Sequence, residues 1–260
     1  MEQLLSEQVK KSRTPARLDF YQSATGLILG LFMWAHMLLV SSILLGNESM
    51  YWVAKSLEAS FLSKDPTHGY PILVTFAVLG VFFLFIVHAG LAVRKFPSSW
   101  KQHRVFRSHM KMMKHKDTNI WYTQVVTGFI MFFFGSVHLY IMMTHPDKIG
   151  PYASSDRFVS DWMWPLYLIL LLAVEAHGTI GLYRLAVKWG WFDGKNPVSN
   201  RKKLKFLKNL LAIFFIVLGL FTFAAYVKIG IEHRDKQGER YIPSSLTSQA
   251  KPEALINYQS

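Results

Sequence analysis

Charge vanishes from this chain in long stretches. Residues 20–47, 66–93, 118–146 and 209–227 contain no Asp, Glu, Lys or Arg, and a fifth stretch, 162–183, is interrupted only by Glu175. Each is about long enough to cross a hydrocarbon core of roughly 30 Å at about 1.5 Å rise per residue. Soluble helices keep a charged face, and these have none. The pattern predicts an all-α integral membrane bundle of five transmembrane helices, over about residues 20–46, 70–94, 118–144, 161–188 and 206–230. Residues 1–232 read as one membrane domain and 233–260 as a polar tail outside the cytoplasm. The opening MEQLLSEQVKKSR carries acids and lacks an apolar core, so the first helix, rather than a cleaved signal, is expected to direct insertion.

The polar connections differ in sign. Of 29 basic residues, four lie before residue 20, eight in 94–117 and eight in 184–208. The intervening connections, 47–70 and 144–161, hold two each, and the region from 228 onward holds five. By the positive-inside rule the N-terminus is cytoplasmic and the tail lies on the far side of the membrane. The connection between the second and third spans puts Phe106, Met110 and Met113 on one helical face among basic residues. It is expected to form an amphipathic cytoplasmic segment that meets anionic lipid, a cytoplasmic subunit, or both. His103, His109 and His115 in this segment recur every six residues and so fall on different faces, a poor arrangement for a metal.

Composition narrows the chemistry. The chain is 51% hydrophobic with net charge +13 and no cysteine. Disulfides, Cys-ligated iron–sulfur clusters, thiol nucleophiles and covalently attached c-type haem are excluded from it. There is no glycine-rich phosphate loop, catalytic serine elbow or evident internal repeat.

Four histidines lie inside apolar spans, one in each of the first four: His36, His88, His138 and His177. His88 is six residues before Arg94 and His177 seven before Arg184, about 10 Å from the basic boundary. His36 is seventeen past Asp19 and His138 twenty-one past Asp117, roughly 25–30 Å from that boundary. Two levels with two histidines each suit two bis-histidine haems stacked across the bilayer, which favours electron transfer over chemistry at an open iron position. Ala35, Ala89, Gly90, Gly135 and Gly178 flank the histidines, although small residues also serve ordinary helix packing. Glu175 is the one acid within a span and a candidate proton carrier or structural hydrogen-bond partner. Glu58 reads as an ordinary solvated glutamate.

The segments LDFYQSATGL, GLFMWAHM, HAGLAVRKFP, TGFIMFFFGSVHLYIMMT, SDWMWPLYL and GLYRLAVKWGWFDG resemble the di-haem cytochrome b anchors of epsilon-proteobacterial quinol:fumarate reductases. This family belongs to the succinate dehydrogenase/fumarate reductase (complex II) superfamily. The resemblance runs from Lys11 to about Gly230. It implies two haem b groups, with His88 and His177 on the proximal one and His36 and His138 on the distal one. It implies that Glu58 serves menaquinol oxidation near the distal haem and that Glu175 carries protons across the membrane. Gln22, Ser23, Lys95, Trp121 and Lys188 match positions near the cytoplasmic haem's propionates. Electrons would pass from distal to proximal haem and on to an iron–sulfur subunit, and a flavoprotein subunit would reduce fumarate in anaerobic respiration. A dimer of such heterotrimers, surrounded by membrane lipid and without nucleic acid, completes the expectation.

Two other readings remain open to the sequence. One is a cytochrome b anchor for a succinate:quinone reductase, hydrogenase or formate dehydrogenase. The other is a haem-free transporter in which the histidines and Glu175 relay protons, against which the lack of broken helices argues.

Overall fold

A computed structural model describes residues 13–65, 67–113 and 116–247. His115 and the ends of the chain, including most of the N-terminal arm and the tail from 248, lie outside the described residues. The described residues are helical and contain no strand. The helices are α1 (Thr14–Val40), α2 (Asn47–Leu57), α3 (Pro71–Val93), α4 (Trp100–Met113), α5 (Lys116–Thr144), α6 (Pro151–Val159), α7 (Trp164–Lys188), α8 (Pro197–Glu232) and the short α9 (Ser244–Thr247). Five of these, α1, α3, α5, α7 and α8, are long and apolar enough to cross a membrane.

The spans close into a ring. Helix α1 packs on α3, α3 on α5, α5 on α7 and α7 back on α1, with α8 laid against α7. Each ring helix therefore carries one of the four membrane histidines. Outward faces remain apolar and exposed, as at Phe76, Phe83, Phe133 and Phe221, which suits a hydrocarbon surround. Proline in the first turn of α1, α3, α6, α7 and α8 fixes the backbone where no intrahelical N–H bond is lost.

Helix length departs from the sequence pattern at α8, and helix type changes at the end of the first span. Helix α8 begins well before its apolar stretch, because the Asn196 side chain accepts from the Ser199 N–H at 3.1 Å and Pro197 opens the helix. Its 36 residues reach about 54 Å, so the basic stretch 201–208 extends beyond a 30 Å core. The first span continues past Val40 as a 3₁₀ turn, Ser41–Leu45, that ends at Gly46 (φ 114°), a conformation glycine adopts readily.

The polar segments are ordered against the bundle. Helix α4 lays Phe106 on Trp121 with ring centroids 5.1 Å apart and buries Met110, whereas Met113, expected on that face, is exposed where the helix ends. Lys101, Arg104, Val105 and Met112 face outward. At the opposite end α2 and α6 pack together, and residues 233–246 fold back over them. His233 stacks on Tyr152 at 4.1 Å and bonds Asp156 at 2.9 Å, and Ser244 donates to Glu48 at 3.0 Å.

Candidate functional site

The ring brings the four histidines together in two pairs. His88 and His177 have ring centroids 6.4 Å apart, and His36 and His138 6.2 Å apart. Two imidazoles bound head-on to one metal at about 2.0–2.1 Å, plus about 1.1–1.2 Å from nitrogen to ring centre, place centroids about 6.3 Å apart. Both pairs fit that separation. All four histidines are half-buried within the membrane-spanning helices.

The first pair is also oriented for the task. His177 Nδ1 lies 2.8 Å from the main-chain oxygen of Gln124, which can only accept, so Nδ1–H donates and Nε2 keeps its lone pair. His88 Nδ1 lies 3.1 Å from Thr25 Oγ1. The Thr25 hydroxyl gives its proton to the Tyr21 carbonyl at 2.8 Å, so here too Nδ1–H is the donor and Nε2 is free. A second partner that fixes the tautomer is what metal-ligating histidines ordinarily have. At the second pair His138 Nδ1 is buried without a hydrogen-bond partner among the described residues, and His36 stacks on Phe32 of its own helix.

Glycines open space for these rings, but not those beside the histidines in sequence. A Cβ at Gly26 would lie 2.8 Å from His88 Cε1, and one at Gly128 would lie 3.0 Å from His177 Cε1. Gly90 meets nothing within 4 Å and Gly178 meets Met33. The sequence does carry a signal for the working pair: Thr25-Gly26 and Thr127-Gly128 each stand ten residues before the histidine of the same helix, in TGLILGLFMWAH and TGFIMFFFGSVH.

Of the residues expected near a propionate, three converge at the basic end. Lys95 Nζ is 2.8 Å and Lys188 Nζ 3.4 Å from the Asp19 carboxylate, which also bonds Arg94, and Lys188 reaches Ser23 Oγ at 3.2 Å. Gln22 Oε1 is buried without a partner among the described residues. Trp121 packs with Phe96 and Phe106. Asp19 as the hub of this cluster was not evident from the sequence.

Both candidate acids are buried. Glu175 is 0% exposed, and neither carboxyl oxygen has a hydrogen-bond partner among the described residues. A carboxyl with no partner costs several kcal/mol if ionised in such a place, so it persists only where the rest of the fold bears it. Glu58, which read as solvated, is 2% exposed and pairs with Lys55 Nζ at 2.8 Å. The correction comes from Gly69, whose lack of a side chain lets the returning chain close over the Glu58 carboxyl, and from the Tyr70 N–H, which donates to the Glu58 carbonyl at 2.7 Å.

Comparison with known proteins agrees with this architecture. The family described as succinate dehydrogenase/fumarate reductase transmembrane subunit matches residues 101–218. The fumarate reductase cytochrome b subunit of Wolinella succinogenes is 59% identical over 226 residues, 87% of each chain. That of Helicobacter pylori is 52% identical over 230 residues, 88% of each chain. Similarity of that extent, on a five-span all-helical fold with paired membrane histidines, shows that the chain belongs to the fumarate reductase cytochrome b subunits, the membrane anchors of that enzyme.

Proposed function

We propose that this chain is the di-haem, menaquinol-oxidising membrane subunit of a fumarate reductase. The observation that carries the reading is the pair of imidazole pairs at metal-bridging separation, one tautomerically set by Thr25 and Gln124. Haem b, when bound, would supply one-electron transfer. His88 and His177 would hold the proximal group, with Ser23, Lys95 and Lys188 near its propionates and Gln22 and Trp121 beside them. His36 and His138 would hold the distal group. Glu58 takes a proton from the quinol hydroxyl at the α2/α6 end, the periplasmic end in this reading, which the charge distribution supports. Glu175 carries a proton through the ring in step with the inward electron. Without that proton, each charge moved would oppose the membrane potential at roughly 2.3 kcal/mol per 100 mV. The basic end, with α4 and the extended α8, faces the cytoplasm and receives the iron–sulfur and flavoprotein subunits. A dimer of heterotrimers in the inner membrane is the assembly in keeping with this reading, with residues 233–260 as a periplasmic tail.

The test is spectroscopic. Reduced-minus-oxidised spectra of the purified complex should show a b-type band, and haem assay should give two haems per chain. Ala at His36 or His138 should remove one haem and Ala at His88 or His177 the other. A haem-free complex, or one haem in the unsubstituted protein, overturns the reading.

A further inference from the structure

Glu58 stands at the last turn of α2 with its carboxyl withdrawn from solvent, its side chain 3% exposed. The returning chain closes one side of it: a Cβ at Gly69 would fall 2.2 Å from Oε2, so nothing larger than glycine fits there. On the other side a cation of its own helix meets it. Lys55, one turn earlier on α2, places Nζ 2.8 Å from Oε2 and is itself 19% exposed. The lysine stem passes Tyr51, its ammonium 5.9 Å from the ring centroid, and lines a cleft of about 310 Å³ shared with Ala54, Thr67, Tyr152 and Tyr241.

A buried carboxylate needs compensation, and removing one partner of such a pair is far more damaging than the pair's net worth. A charge-assisted bond also fixes direction, which a flexible glutamate at a helix end does not have by itself. We propose that Lys55 is a positioning residue for quinol oxidation: its ammonium holds the Glu58 carboxylate aimed, with Oε2 engaged in the pair. The assignment rests on the reading of Glu58 as the acceptor of the quinol's proton. Lys55 does not touch the quinol in this scheme and acts through Glu58 alone.

The experiment compares Lys55→Met, Lys55→Arg and Glu58→Gln in the intact complex, with haem content and fumarate reduction from an artificial donor as checks on assembly. Lys55→Met should lower quinol-driven turnover at neutral pH by roughly 10- to 100-fold, the cost of a misplaced reacting group. The loss should fall on kcat and not on the quinol KM, because Lys55 acts on the reacting group and does not touch the quinol. Lys55→Arg should return turnover to within a few-fold of the parent. Unchanged turnover in Lys55→Met, while Glu58→Gln abolishes quinol oxidation, overturns the role of Lys55 alone. A loss that arginine does not rescue, or that falls on KM alone, also overturns it, since that is not the mark of a residue that aims Glu58. Normal quinol turnover in Glu58→Gln would remove Glu58 from the site, and Lys55 with it. Should Lys55→Met fail to assemble, Lys55→Gln is judged by the same criteria.

Discussion

At the scale of single residues, the chemistry of the bundle depends on which atoms lack a protein partner. His88 and His177 spend Nδ1–H on Thr25 and on the Gln124 carbonyl, so each offers a lone pair at Nε2 without any further rearrangement. Glu175 is the reverse case, with two buried oxygens that no described residue satisfies. Such a group has little value as a structural brace, which is why a proton-carrying role suits it better than the interhelical hydrogen bond that the sequence also allowed. Glu175→Gln keeps the volume and loses the exchangeable proton. It should retain both haems and lower quinol-linked fumarate reduction by about 100-fold or more, as loss of a proton-transfer group ordinarily does. Turnover assay beside haem quantitation reads this, and a Gln variant at parental rate would refute the assignment. The histidines and Glu175 were legible in sequence because ionisable types are rare and costly in apolar spans. Thr25 and Gln124 were not, since each acts through a contact between helices 53 to 63 positions apart in the chain.

Among elements, the ring is set by where helices can approach closely. Gly26 of α1 faces His88 of α3, and Gly128 of α5 faces His177 of α7, so α1 and α5 play the same part toward opposite neighbours. Pattern reading found the five spans because apolarity over about twenty residues is a strong signal. It favoured glycines adjacent to the histidines, because sequence distance on one helix says nothing of what the facing helix brings. It passed over α2 and α6 for a related reason: nine to eleven residues of mixed polarity between spans look like loop. Those two helices then bury Glu58 and Asp156, neither of which composition marks. The glycine slots make a sharp prediction. Gly26→Leu should displace the His88 ring and Gly128→Leu the His177 ring, each lowering proximal haem occupancy by at least 10-fold while the distal group remains. Haem-to-protein ratio together with redox titration distinguishes the two groups. Full occupancy of both in either variant would show that the slot can relax and that the glycine is incidental.

The molecule as a whole is polarised. Among the described residues, 17 of 25 basic residues fall at the end where α1 and α8 start, and the acid-bearing turns of α2 and α6 lie at the other. That asymmetry gives an expected orientation, and it matters for function: a quinol oxidised near Glu58 stands on the periplasmic face, and an electron acceptor docked at the basic end on the cytoplasmic one, only if the positive-inside rule holds here. The absence of cysteine makes the question unusually accessible, since any thiol introduced is the only one in the chain. Ser63→Cys, in the turn after α2, and Gln237→Cys, in the segment that folds over α6, should react with a membrane-impermeant maleimide in intact cells. Lys202→Cys, on the part of α8 that projects beyond the apolar stretch, should react only after the membrane is opened. All three sites are exposed or half-exposed on this chain, and labelling after the membrane is opened separates the barrier from cover by a partner subunit. The reverse labelling pattern would put Glu58 on the cytoplasmic side. Quinol protons would then be released inside, the electron would move outward with the potential and not against it, and Glu175 would lose the physical reason proposed for it.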